Sequence, residues 1–103
     1  MSKYRAVRTN GYASKKEAAR AAELHILLKA GIIFDLKEQV RYELIPADKE
    51  AGFPRPICYV ADFTFTDVKD GFVVEDVKGF KTPVYNLKKR LMWQVHKIKI
   101  REG

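Results

Sequence analysis

Cys58 is the only cysteine in the 103 residues, so no intrachain disulfide can form, and no His or other Cys lies near it at metal-ligand spacing. A reducing cytoplasm suits such a chain. No apolar run approaches the length that spans a bilayer, and the basic segments lack the wide apolar face of an interfacial anchor. The opening segment MSKYRAVRTNGY is basic but has no apolar stretch behind it, so it does not read as a secretory signal. P-loop, nucleophile-elbow and zinc motifs are missing, as are internal repeats, low-complexity tracts and linkers. Acidic residues are outnumbered: thirteen Asp and Glu against twenty Lys and Arg leave a formal net charge of +7. So much positive charge on so small a surface points to a polyanionic partner, nucleic acid first and an anionic membrane surface second.

With 47% hydrophobic and 32% charged residues, the composition is that of a globular chain, and the length fits one domain whose site must be built on its core elements. Residues 1–13 form a basic arm, Lys3, Arg5 and Arg8 interleaved with Tyr4 and Tyr12, either a frayed terminus or a DNA-contacting segment. Ser14 to Ala30 reads as a helix with Ser14 as N-cap and Gly31 at its stop. From Ile32 to Pro46 the pattern alternates, with Val40, Tyr42 and Leu44 on one side and Gln39, Arg41 and Glu43 on the other. Residues 47–56 are a loop. Ile57 to Asp67 and Phe72 to Lys78 read as a hairpin of two strands. A second helix runs from Pro83, capped by Thr82, to about His96, and Ile98 to Arg101 makes a short last strand. The expected fold is α+β: a single domain in the order helix, three strands, helix, strand, with a mixed, mainly antiparallel sheet flanked by two helices. Its expected core holds Leu24, Leu28, Phe63, Phe65, Val77, Leu87 and Leu91.

The hairpin carries the chemistry. YVADFTF and VVEDVKG each place a charge inside an apolar strand, where an unpaired ion is costly and needs a partner, a metal or water. Tyr59, Ala61, Phe63 and Phe65 share one face of the first strand and Val60, Asp62 and Thr64 the other; on the second, Val74, Asp76 and Lys78 lie opposite Val73, Glu75 and Val77. A three-residue loop, Lys69 to Gly71 with the glycine left-handed, sets Val68 against Phe72, Asp62 against Lys78 and Thr64 against Asp76. Asp62, Asp76 and Lys78 then share a face, with the two carboxylates diagonal neighbours that a divalent ion can bridge. A two-residue turn would bring Glu75 to that face instead. Two carboxylates and a lysine suit metal-assisted phosphodiester hydrolysis, the lysine serving the attacking water. The plainer reading is a salt bridge between Asp62 and Lys78 beside a solvated Asp76.

Glu17 falls among Ala21, Leu24 and Leu28 on the sheet-facing side of its helix, where it can reach a metal; equally, Ser14-Lys15-Lys16-Glu17 is a capping box that turns Glu17 back to the backbone. Glu23 lies nearer the edge of the stripe. In the second helix Val84, Leu87, Leu91 and Val95 mark a core face, flanked by Lys88, Lys89 and Arg90, which either hold phosphates or form a solvated basic side. Trp93 and Tyr85 read as core or rim aromatics, and His25 and His96 have no partner at catalytic spacing.

Five landmarks in order, GYASKKEA at 11–18, EQVRYELIP at 38–46, YVADFTF at 59–65, VEDVKGFKT at 74–82 and YNLKKRL at 85–91, resemble the small phage and prophage endonucleases similar to Holliday junction resolvases, within the PD-(D/E)XK nuclease superfamily. The resemblance covers nearly the whole chain. It implies a restriction-endonuclease-like core, a DNA endonuclease acting on branched substrates in a bacterial host cytoplasm, and a homodimer. It implies that Asp62 and Asp76 bind Mg²⁺ or Mn²⁺, that Lys78 serves the water, and that Glu17 is the helix-borne acid near the metal. Glu75 is the substitute acid, Gln39 a secondary candidate, and Lys15, Lys16, Lys81, Tyr85, Lys88 and Lys89 the DNA-binding candidates. The proline that often precedes the first aspartate is Ala61 here, a departure that removes no chemical group.

Overall fold

The computed structural model describes residues 11, 12, 14–77 and 81–103. Lys78 and nearly all of the basic arm fall outside the described residues. The elements come in the expected order: α1 (Lys15–Lys29), β1 (Ile33–Ile45), β2 (Ile57–Asp67), β3 (Gly71–Asp76), α2 (Pro83–His96) and β4 (Arg101–Glu102). They make a small α+β domain around one four-stranded mixed sheet. β1, β2 and β3 run antiparallel in sequence order, and β4 joins β3 in parallel.

Local rules explain the helices. Ser14 Oγ accepts from Glu17 N at 3.1 Å and Thr82 Oγ1 from Tyr85 N at 3.0 Å, so each helix starts on a hydroxyl that takes an otherwise orphaned amide. Gly31, with φ of 76°, takes the left-handed turn just beyond α1. The last strand begins at Arg101, later than the expected Ile98, because only the terminal residues pair with β3.

The hairpin register differs from expectation by two residues. Asp67 Oδ1 accepts from the backbone of Lys69 and Asp70 at 2.7 and 3.0 Å, so a side-chain turn starts the loop at Val68. The three-residue loop is therefore Val68 to Asp70, Asp67 faces Gly71, and Thr64 faces Val74 rather than Asp76. Gly71, with φ of 82°, supplies the left-handed position at its end.

Each face of the sheet carries one helix and one apolar cluster. Ala21 and Leu24 of α1 pack with Ile33, Phe63, Phe65 and Val73; Tyr85 and Met92 of α2 pack with Leu44, Tyr59, Ala61, Val74 and Ile100. Val73 and Val74 are successive strand residues, so the clusters lie on opposite faces. It follows that β2 changes face between Ala61 and Phe63, although simple alternation puts Tyr59 through Phe65 on one side. β1 changes with it, since Tyr42 and Leu44 belong to the α2 side and Leu36 to the α1 side. The pairs Glu38–Phe63 and Val40–Ala61 bracket the switch, and between them Gln39 takes φ of 54°. A left-handed residue inside a strand turns the following side chains over. Asp62 sits across from it.

Two core expectations fail. Leu28 is exposed and Leu27 packs on the α1 cluster in its place. On α2, Val84 and Leu87 are 62% and 60% exposed and Val95 faces solvent, while Tyr85 and Met92 are buried. The helix is turned by roughly one residue's 100° from the expected face. Tyr85 brings more apolar surface than a valine, and its hydroxyl finds an acceptor in Glu102 at 2.8 Å.

Candidate active site

The β2–β3 ladder ends at the pair Phe63–Glu75, just where β2 changes face. Beyond it the strands part: Asp76 pairs with Glu102 of β4, and Gly103 N donates to Asp76 O at 3.0 Å. The Val77 amide, having lost its strand partner, donates to Asp62 Oδ2 at 2.8 Å. Asp62 thus fills the fork with its side chain. Continuing the register sets it opposite Asp76, not Lys78, and the two carboxyl groups lie close enough for Asp76 to act electrostatically on Asp62.

Asp62 is half-buried and Asp76 fully so. Burial pushes the Asp62 carboxyl up to about 7; the Val77 amide pulls against it, and the neighbouring Asp76 and Glu17 carboxylates add smaller upward pushes. Tyr59 donates to Asp76 Oδ2 at 2.5 Å, and burial together with that carboxylate drives its hydroxyl far above the usual phenol range. Sequence reasoning placed Tyr59 only on one face of its strand, with Ala61, Phe63 and Phe65. Its apolar flanks hide the fact that a phenol carries a donor to the end of its ring.

Glu17 is buried on α1, and Gln39 Nε2 donates to its Oε2 at 3.1 Å. One half of the capping box forms through Ser14, yet the carboxylate faces β1 and lies within electrostatic reach of Asp62. Gln39, a residue without an argued role, therefore helps to orient Glu17. Glu75 is removed from the site. It points to the opposite side of β3 from Asp76, where Arg20 clamps both of its oxygens at 2.6 and 2.9 Å. Glu23 pairs with the same arginine at 3.2 Å, at the surface. His25 lies against Glu38, and His96 Nε2 meets the Glu43 carbonyl.

Among the DNA-binding candidates, Tyr85 is a correction: it is buried between α2 and the sheet, and so cannot meet a ligand directly. Lys81 and Lys89 converge on Glu102 at 3.0 and 3.1 Å, next to Asp76 in the sheet. Tyr85, Lys81 and Lys89 together hold the Glu102 carboxylate down to about 2. Glu102 was not foreseen, since a terminal acid gives no sign of the strand it joins. Lys15 and Lys16 are exposed at the start of α1, Lys16 lining a groove with Arg20, Glu23 and Arg101, and Lys88 is half-buried.

One family model matches residues 1–101, that described as protein of unknown function (DUF1064). The chain belongs to the DUF1064 family. Comparison with curated proteins and with solved structures finds no match. No helix among the described residues is long and apolar enough to cross a membrane.

The donor set at the fork is made of hard oxygens, which suits Mg²⁺ or Mn²⁺ over softer metals. Among the described residues no group of three His, Cys, Asp or Glu side chains forms a ready metal cage. Two carboxylates in contact still fit an ion such as Mg²⁺, which retains several waters and takes phosphate oxygens. Crowded acids also gain from a cation that offsets their mutual repulsion.

Proposed function

We propose that this chain is a metal-dependent endodeoxyribonuclease that hydrolyses phosphodiester bonds of branched DNA, working as a homodimer in a reducing cytoplasm. The observation that carries the reading is the meeting of Asp62 and Asp76 at the fork of the sheet, with Glu17 close by on α1. Asp62 and Asp76 are the residues to hold Mg²⁺ or Mn²⁺, with Glu17 beside them. When bound, such an ion supplies Lewis-acid polarisation of the phosphate and makes water easier to deprotonate. Tyr59 steadies Asp76 and Gln39 steadies Glu17, so the acids are held by neighbours that do not react. Lys78, two residues beyond Asp76, is the group to serve the attacking water, as the resemblance to resolvase-like nucleases implies. The net charge of +7 and the lysines at the starts of α1 and α2 support a polyphosphate substrate.

The absence of a three-ligand cage among the described residues favours one other reading, a basic nucleic-acid-binding protein without catalysis. Labelled four-way junction, flap and linear duplex, each incubated with and without Mg²⁺ or Mn²⁺, separate the two. Metal-dependent cutting that Asp62→Ala abolishes while binding persists is the expected result. Salt-dependent binding with no product from any substrate would overturn the nuclease and leave the binder.

A further inference from the structure

One flank of α2 carries a cavity apart from the fork. Asn86, Lys89, Arg90 and Trp93 lie three and four residues apart on one helix face, and with Lys99 and Ile100 they line a cavity of about 460 Å³. Pockets of that size hold small organic ligands. Trp93, which sequence reasoning took for a core or rim residue, is 48% exposed. Lys97 sits with its Nζ 5.7 Å from the indole centroid, a contact that restrains the ring from one direction. Ile100 is buried and gives the cavity an apolar floor. Arg90 and Lys99 have no acidic partner among the described residues, while Lys89 divides its charge with Glu102.

We propose that this cavity binds one unpaired nucleotide of a DNA strand, the base on Trp93 and the phosphate among Arg90, Lys99 and Lys89. Each wall has a counterpart in that ligand. An indole and an aliphatic floor accept the flat apolar face of any base. The Asn86 amide offers both a donor and an acceptor to the base edge. Three cations at the rim take the phosphate. Bases inside a duplex are stacked on each other and cannot lie on a side chain, so the nucleotide must come from a single-stranded or splayed segment. This assignment rests on the proposed action on branched DNA, where such segments occur, and gives the protein a way to tell them from plain duplex.

Trp93 is the sole tryptophan, so its fluorescence reports on the cavity alone. Fluorescein-labelled oligothymidylate of about 12 nucleotides is titrated into the protein in chelator, where nothing is cleaved. Anisotropy follows binding and tryptophan emission follows the cavity. The expected result is quenching that saturates with the anisotropy, about tenfold weaker binding for Trp93→Ala, near-normal binding for Trp93→Phe, and a flatter salt dependence for Arg90→Ala with Lys99→Ala. Thymidine monophosphate should quench only at far higher concentration; equal affinity would overturn the assignment to a strand. Binding by anisotropy with tryptophan emission unchanged and affinity unaltered in Trp93→Ala would overturn the cavity and leave the DNA reading intact. Binding by neither signal, to oligothymidylate or to a four-way junction, would overturn both.

Discussion

Glu75 and Asp76 are neighbours on β3, 1% and 0% exposed, and yet they live under opposite electrostatic conditions. Glu75 points toward α1, where Arg20 meets both of its oxygens. Asp76 points toward α2, where it takes a tyrosine hydroxyl and stands against another carboxylate, Asp62. The first arrangement is a closed ion pair that stabilises the fold. The second gathers like charges, which costs stability unless a cation or a proton intervenes. A domain of this size has little stability to spare, so acids gathered at the fork support the role proposed for Asp62 and Asp76.

The sharpest way to break that contrast is to neutralise the two neighbours in turn. Asp76→Asn should lower metal-dependent cleavage by on the order of 10³-fold with binding retained. Glu75→Gln should weaken the fold but leave the cleavage rate per folded molecule close to normal. A reversed pattern in single-turnover assays would exchange the roles assigned to the two residues. Next in size is the ion pair itself. Arg20→Met leaves Glu75 buried without its cation and should cost about 3–5 kcal/mol in denaturant unfolding.

The pH dependence of stability sharpens the comparison from the other side. In the fold Asp62 keeps its proton up to about pH 7, whereas in the unfolded chain it loses it near 3.8. Between those values the native state binds a proton that the unfolded state does not. This contribution is therefore fully present at low pH, is lost as pH rises from about 4 to about 7, and changes no further above that. In chelator, the melting temperature of the wild type should fall relative to that of Asp62→Asn across this window. Mg²⁺ or Mn²⁺ at pH 8 should raise the wild type and not the variant. Parallel curves for the two proteins would remove Asp62 from the cluster. The smallest effect belongs to Tyr59→Phe, which takes one hydrogen bond from Asp76 at a buried site and should cost about 1–2 kcal/mol by chemical denaturation.

How far the chain could be read in advance varies by element. Ser14, Gly31, Thr82 and Pro83 mark both helices within a residue or two, because caps act on the backbone next to them. β2 runs from Ile57 to Asp67 as its apolar pattern predicts. The register escaped notice because Asp67 spends its carboxylate on two loop amides, an interaction as local as a cap but easily taken for a strand residue's solvent contact. The α2 face escaped because four aliphatic residues at helical spacing outweigh one tyrosine and one methionine in any pattern count, although the latter two are the ones buried.

From the sequence alone follow the order of the elements, their caps and the α+β class, since these depend on residues a few positions apart. Only the tertiary structure decides that β1 and β2 change face at Gln39 and Asp62, that Arg20 goes to Glu75 and not to Asp76, and that Tyr59 and Glu102 join the site. Those choices are made between groups brought together from distant parts of the chain, where burial and partnership set the energy of a charge and local pattern does not.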